Sequence, residues 1–144
     1  MAYEHPGRDE IKAILETAET IAVVGLSDKP DRTSYMVSEA MQRKGYRIVP
    51  VNPNADEILG ETCYRALKDI PFPVDIVNVF RKSEHCPEVA EEAAAIGAKT
   101  LWLQLGVVSE EAASIAERAG MKFIMDRCIK VEDSILLPEG KSKR

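Results

Sequence analysis

The chain has 144 residues, of which 45% are hydrophobic and 30% charged, a composition typical of one globular domain. Its net charge of −5 disfavours a nucleic-acid partner, because nucleic-acid binders usually carry a basic surface. No apolar run approaches the roughly 20 residues that cross a bilayer, and the N-terminus lacks the apolar segment of a secretory signal. We therefore expect a cytoplasmic chain with no membrane partner. Three cysteines without a CxxC pair and two distant histidines disfavour a disulfide framework and a metal site.

The predicted elements alternate between helices and short apolar strands. Apolar residues at helical spacing predict an N-terminal helix at about residues 8–18. The same pattern predicts later helices at residues 34–44, 62–69, 86–96, 109–120 and 130–137. Short apolar runs predict strands at residues 20–26, 46–51, 74–80, 100–105 and 121–125. Pro50 indicates that the second strand ends early or is irregular.

Strands that alternate with helices predict a parallel sheet. We expect an α/β, Rossmann-like, doubly wound fold, with a mainly parallel five-stranded sheet and helices on both faces. One such domain would span residues 1–144, with its core at about residues 20–137. Ligands of these folds bind beyond the carboxyl ends of the strands, so the residues that follow each strand are the candidate site.

The loop after the first strand has the features of an anion cradle. A glycine allows close backbone approach, hydroxyls and cations can meet an anion, and a helix that starts near residue 34 directs free N–H groups at the loop. This pattern predicts a phosphate or pyrophosphate site formed by Gly25, Leu26, Ser27, Lys29, Arg32, Thr33 and Ser34. The alternative is a solvated loop with a serine helix cap.

The cradle differs from a dinucleotide fingerprint. A GxGxxG motif needs two further glycines, and none lies between Gly25 and Gly45. The second strand ends at Val51, Asn52 and Pro53, without the carboxylate that usually holds the ribose of NAD. These features disfavour NAD strongly and NADP less.

Later strand ends add further candidates. Phe80 and Arg81 follow the third strand and either flank an adenine or phosphate, or cap the core beside solvent. Gln104 lies at the end of the fourth strand, two residues before Gly106. A buried glutamine side chain is costly unless it is hydrogen-bonded, so it either pairs with the backbone or faces the ligand cleft. We favour the cleft. Cys128 follows the fifth strand and is either a reactive thiol near the cleft or a buried small residue.

The residues in this order resemble a known family. The motifs are IAVVGLS followed by Arg32 and Ser34, then GYRIVPVNP, VDIVNVFR, LWLQLG and DRCIKVE. From about Ile11 to Leu137 the chain resembles the small stand-alone CoA-binding proteins. These proteins are similar to the N-terminal CoA-binding domain of the succinyl-CoA synthetase alpha subunit.

The resemblance implies a protein that binds coenzyme A, or an acyl-CoA, through its 3′-phospho-ADP part. The loop from Gly25 to Ser34 would meet the pyrophosphate, residues 51–53 with Phe80 and Arg81 would lie near the adenosine, and residues 104–106 would line the pantetheine side. The synthetase also uses a phosphorylated histidine on a second domain, and neither His5 nor His85 occupies a corresponding place. We therefore expect CoA binding without catalysis.

Two alternatives stay open. One is an NADP- or nucleotide-dependent enzyme that uses the same cradle. The other is an interaction module that has lost its ligand. A homo-oligomer through the helix surfaces is also open, and the sequence identifies no protein partner.

Overall fold

The computed structural model describes residues 5–140; the outermost residues of the expected domain, 1–4 and 141–144, lie outside this range. The helices are α1 (Arg8–Thr17), α2 (Thr33–Arg43), α3 (Cys86–Ala95), α4 (Glu110–Arg118) and α5 (Ile129–Leu136). The strands are β1 (Thr20–Val24), β2 (Arg47–Val51), β3 (Glu57–Ile58), β4 (Glu61–Thr62), β5 (Ile76–Val79), β6 (Thr100–Leu103) and β7 (Lys122–Ile124). Within the described range, no helix is both long and apolar enough to cross a membrane.

Five strands form one parallel sheet in the order β2-β1-β5-β6-β7. Every residue of β1, β5 and β6 is buried, which explains their continuous apolar runs. From β1 the chain passes to β2 on one side of it, whereas β5, β6 and β7 are added in turn on the other side. The topological switch point therefore lies between β1 and β5.

The two faces of the sheet carry separate cores. On one face α3 and α4 pack through Val89, Ala90, Ala93, Ala112, Ile115 and Ala116. On the other face α1, α2 and α5 pack through Ile11, Leu15, Val37, Met41 and Ile129. This arrangement confirms the Rossmann-like fold with helices on both faces.

The edge of the sheet at β2 differs from the sequence expectation. The strand continues through Pro50, whose carbonyl accepts a hydrogen bond from Tyr64 N on the outer side of the strand. The N–H that proline lacks would point to the same outer side, so the ladder with β1 is intact. The strand thus keeps its predicted end at residue 51, and Pro50 neither shortens it nor makes its pairing with β1 irregular.

The predicted helix at residues 62–69 is also wrong. A two-stranded hairpin of β3 and β4 occupies residues 57–62, and only a 3₁₀ turn forms at Leu67–Asp69. Between them, Tyr64 makes an isolated parallel bridge to Val51. This segment extends the β2 edge and brings residues 65–67 beside the carboxyl end of the strand.

A buried polar cluster joins α5 to the rest of this face. Asp133 is 1% exposed, and its carboxylate lies 2.8 Å from Lys44 Nζ and 2.6 Å from the Tyr46 hydroxyl. The same hydroxyl lies 2.9 Å from the carbonyl of Leu15 in α1. The buried charge is thus paired and hydrogen-bonded, as burial requires.

Candidate functional site

Two cavities open at the carboxyl ends of β1 and β2. They share Gly25 and Asn52, so they meet above the first two strands of the sheet. This is the edge at which a doubly wound sheet binds ligands.

The α3-side cavity has a volume of about 370 Å³. The ends of β1 and β2, the segment after β4 and the start of α3 form its walls. Its lining residues are Val24, Gly25, Val51, Asn52, Pro53, Asn54, Arg65, Ala66, Leu67, Arg81, His85, Glu88, Val89 and Glu92.

The α2-side cavity has a volume of about 450 Å³ and is more polar in composition. It lies between the loop after β1 and the first turn of α2, and Phe80 closes one side. Its lining residues are Gly25, Ser27, Arg32, Thr33, Ser34, Asn52 and Phe80.

Gly25 brings three strand ends close together. Its φ of +87° is a conformation that favours glycine, and its N–H donates to Val51 O at 3.0 Å. A Cβ at this position would lie only 2.5 Å from Phe80 O. The backbone can therefore approach a ligand here because residue 25 has no side chain.

Hydroxyl groups order the loop that follows. Ser34 Oγ, on the first turn of α2, accepts a hydrogen bond from Ser27 N at 3.0 Å. Ser27 Oγ in turn accepts from Lys29 N at 3.1 Å. These two hydrogen bonds attach the start of the loop to the first turn of α2, while residues 28–33 are exposed to solvent.

The N-terminus of α2 has the electrostatics of an anion site. Arg32 holds the N-cap position without a side-chain cap, and the first turn carries no acidic residue. In the loop, the exposed Lys29 and Arg32 alternate with the exposed Asp28 and Asp31, so the loop is close to neutral. The free N–H groups and the helix dipole therefore provide most of the attraction for an anion.

Asn52 stands where NAD-binding sheets usually have a carboxylate. Its Nδ2 donates to Leu26 O at 2.9 Å, and its Oδ1 accepts from Asn54 N at 2.8 Å. The side chain joins the end of β2 to the loop after β1. Its role in this structure is to hold the two walls of the site together.

The structure brings most of the predicted site residues together. The cavities include Gly25, Ser27, Arg32, Thr33, Ser34, Val51, Asn52, Pro53, Phe80 and Arg81. Phe80 also packs on the core, as one of its two predicted roles requires.

Four predicted residues lie elsewhere. Leu26 is fully buried in the core, and only its carbonyl faces Asn52. Lys29 is exposed and does not line either cavity.

The last two of the four belong to the β6 end. The expectation that Gln104 faces the cleft is wrong: it is 4% exposed, and its Oε1 accepts from Asn78 Nδ2 and Ile129 N, each at 3.3 Å. Gly106 lies in an exposed turn and donates to Asp126 Oδ1 at 2.8 Å.

Sequence reasoning missed the charged wall of the α3-side cavity. Arg65, Glu88 and Glu92 line it, together with His85, which the sequence indicated only as an isolated residue. The hairpin and the bridge at Tyr64 place Arg65 there, and two-residue strands leave no periodic signal. The helical spacing of Glu88 and Glu92 was visible, but it is equally typical of a solvated helix face.

Burial disfavours the thiolate form of two cysteines near the site. Cys63 donates to Asn52 O at 3.4 Å, and burial raises the pKa of its thiol. Burial likewise raises the pKa of Cys86 at the start of α3. Both thiols therefore stay protonated near neutral pH and are poor nucleophiles. Within residues 5–140, no cluster of metal-ligating side chains is present.

The fold and the paired cavities define a Rossmann-like domain with a candidate ligand site at its strand ends. The chain belongs to the CoA-binding domain family, whose model matches residues 19–134. It is 53% identical over 132 residues to the uncharacterized protein YneT of Bacillus subtilis, covering 92% of this chain and 98% of that protein. It is also similar to a hypothetical protein from Pyrococcus horikoshii, with a TM-score of 0.89 and 35% identity over 95% of this chain and 99% of the other.

A third relative is a much larger enzyme. An ADP-forming acetate–CoA ligase of Archaeoglobus fulgidus is 34% identical over 101 residues, which is 69% of this chain. The match spans only 15% of the ligase. The similarity thus concerns one part of that enzyme.

Proposed function

We propose that this chain is a CoA-binding module that holds the 3′-phospho-ADP and pyrophosphate of coenzyme A at the strand carboxyl ends and catalyses no reaction of its own. The observation that carries the proposal is the meeting of two cavities at Gly25 and Asn52, directly above the N-terminus of α2. Family membership supports CoA as the ligand.

The two cavities suit the two ends of this ligand. The α2-side cavity offers free helix N–H groups and hydroxyls, which favour a diphosphate. The α3-side cavity has an apolar floor formed by Val24, Val51, Leu67 and Val89 and a polar rim, which favours an adenosine. Because Gly25 lacks a side chain, the ligand can pass between them close to the backbone.

The state of the neighbouring thiols favours binding over chemistry. Covalent catalysis needs an activated nucleophile within reach of a base. Cys63 and Cys86, the thiols beside the cavities, are buried with raised pKa values. The proposed role is therefore to bind CoA for sensing, storage or presentation in the cytoplasm.

Thermal unfolding with separate ligands tests this function. The ligands are CoA, acetyl-CoA, NADP, NAD and ATP. A ligand at 100 times its dissociation constant stabilises the folded chain by about 2.7 kcal/mol, which raises the midpoint by several degrees. We expect this shift with CoA and not with NAD.

A double variant supplies the matched control. Ser27→Ala with Arg32→Ala removes one hydroxyl and one cation from the α2-side cavity and leaves the core intact. It should unfold at nearly the same temperature without ligand and show a smaller CoA shift than the wild-type chain. A shift with NADP alone would instead support a nucleotide-dependent enzyme, and no shift with any ligand would support an interaction module.

A further inference from the structure

The α3-side cavity carries opposite charges on its two walls. Arg65 lies on the wall that extends the β2 edge, beside Pro53. Glu88 and Glu92 lie on the wall formed by α3, four residues apart and thus on one face of the helix. A ligand with one anionic end has only one favourable orientation in such a cavity.

The backbone fixes the position of Arg65. Tyr64 N donates to Pro50 O at 3.0 Å, and Asn52 N donates to Tyr64 O at 2.9 Å. These bonds attach the segment to the end of β2, and the next residue, Arg65, lines the cavity. The position of Arg65 therefore follows from the sheet and does not depend on a flexible loop.

The guanidinium of Arg65 is available for a ligand. Among the described residues its side chain makes one weak hydrogen bond, of 3.5 Å from Nη1 to Pro53 O, so most of its five donors are free for a ligand. Within residues 5–140, Arg65 forms no ion pair with a carboxylate. An exposed arginine without a carboxylate partner suits a phosphate, which it can bind through two parallel hydrogen bonds.

Arg81 occupies a different point along the path of the ligand. Its Cδ lies 3.1 Å from where a Cβ on Gly25 would stand, so its side chain lies beside Gly25, where the two cavities meet. A diphosphate at the start of α2 would therefore pass close to Arg81. Arg65 lies farther along, beyond the end of β2.

We propose that Arg65 is the specificity residue that recognises the phosphate on the ribose 3′ position, whereas Arg81 contacts the diphosphate. This assignment rests on the proposed function. With the diphosphate at α2 and the adenosine in the α3-side cavity, Glu88 and Glu92 would repel a ribose phosphate and Arg65 would attract it. The two carboxylates instead suit the amino group of the adenine, which is a hydrogen-bond donor.

Calorimetric titration with CoA and with 3′-dephospho-CoA tests the assignment. The wild-type chain should bind CoA at least about tenfold more tightly, because a hydrogen bond to a charged group is worth about one to two powers of ten in affinity. Arg65→Gln should weaken CoA to the level of 3′-dephospho-CoA and leave 3′-dephospho-CoA unchanged. The thermal midpoint without ligand should also be unchanged, since Arg65 is exposed.

Two further variants separate this role from general electrostatics. Arg81→Gln should weaken both ligands by a similar factor. Lys68→Gln removes an exposed cation three residues away that does not line the cavity, and it should weaken neither.

Equal loss of both ligands in Arg65→Gln, or no loss of either, would overturn the role of Arg65. So would a wild-type chain that binds both ligands equally. A wild-type chain that binds neither ligand would overturn the proposed function itself. That result differs from the outcomes above, in all of which the wild-type chain binds CoA.

Discussion

Gly25 is the residue on which both the fold and the candidate site depend. Its N–H extends the pairing of β1 with β2, and its missing side chain leaves room for Phe80 O. The two cavities meet at this same residue. A change here should therefore alter stability and ligand binding together.

We predict that Gly25→Ala destabilises the fold and lowers CoA affinity by at least tenfold. The positive φ costs about 1 kcal/mol, and the clash with Phe80 O adds about 1–3 kcal/mol. Urea unfolding and calorimetric titration measure the two effects. Gly120→Ala is the matched control, because Gly120 also has a positive φ, of +76°, but nothing within 4 Å of the new Cβ. Gly120→Ala should lower stability only by the cost of the positive φ and should leave CoA affinity intact. Similar losses of stability and affinity in the two variants would refute the role of close packing at Gly25.

Asp75 shows how one carboxylate stabilises the opposite end of the sheet. Its Oδ2 accepts from Glu19 N at 2.9 Å and Thr20 N at 3.0 Å, and Oδ1 lies 3.4 Å from Lys99 Nζ. Burial acts to raise the pKa of Asp75, but the two backbone hydrogen bonds and Lys99 outweigh it and lower the pKa. The ionised carboxylate therefore joins the chain before β1 to the chain before β5.

We predict that Asp75→Asn lowers stability at pH 7 by about 1.5–3 kcal/mol, the value of hydrogen bonds to a charged group. Because the folded pKa is below the unfolded one, the wild-type stabilisation is complete above the usual aspartate range, near pH 4. It is lost as the pH falls through the lowered pKa. Urea unfolding at a series of pH values should show the two chains converging in acid. A gap that stays constant down to the acid limit would contradict this origin.

At the scale of elements, α2 connects the core to the candidate anion site. Its buried face includes Val37 and Met41, which pack against the sheet, while its first turn lies at the α2-side cavity. Ser34 joins these functions, because it is buried and its hydroxyl holds Ser27 N. The helix start and the loop thus form one unit.

We predict that Ser34→Ala lowers CoA affinity by about tenfold and stability by about 1 kcal/mol, because Ser27 N loses its acceptor and the loop is no longer held to the helix. Ser109→Ala is the control. Ser109 caps α4 by accepting from Ala112 N at 3.0 Å, so its loss also costs about 1 kcal/mol of stability. It lies outside both cavities and should leave CoA affinity unchanged. Equal effects on affinity would show that α2 acts only through global stability.

The elements also mark the limit of what the sequence could predict. Short continuous apolar runs predicted all five strands of the parallel sheet, because a strand buried on both faces needs apolar residues at successive positions. The hairpin of β3 and β4 has two residues per strand and leaves no such pattern. Arg65 was missed for this reason.

Gln104 was misplaced for a different reason. Its sequence position correctly indicated a polar side chain at a strand end. Its partners, Asn78 and Ile129 N, come from β5 and from the start of α5, and only the folded chain brings them together. Local patterns therefore located the edge of the sheet that bears the site, but could not decide which polar groups face outwards.

At the scale of the whole molecule, Cys128 and the candidate site lie along the same edge of the sheet, because Cys128 follows the carboxyl end of β7. The residue takes the N-cap position of α5 and is only partly buried, in contrast to Cys63 and Cys86. From β1 to β7 the sheet spans three strand spacings, or about 14 Å. A pantetheine arm that leaves the α2-side cavity past Phe80 would have to cross the ends of β5 and β6 to reach this thiol.

We predict that CoA disulfide modifies the chain once, at Cys128. The thiolate attacks the disulfide, one CoA is bound as a mixed disulfide, and the second CoA leaves as a free thiol. Intact-mass measurement should show a single adduct that is lost in Cys128→Ala and retained in Cys63→Ala. Glutathione disulfide, which lacks the nucleotide, should react more slowly at the same concentration, because under the proposed function only CoA disulfide is first held by the cavities. An adduct that persists in Cys128→Ala would show that the pantetheine arm does not reach Cys128. Equal rates with the two disulfides would show that Cys128 reacts independently of the site.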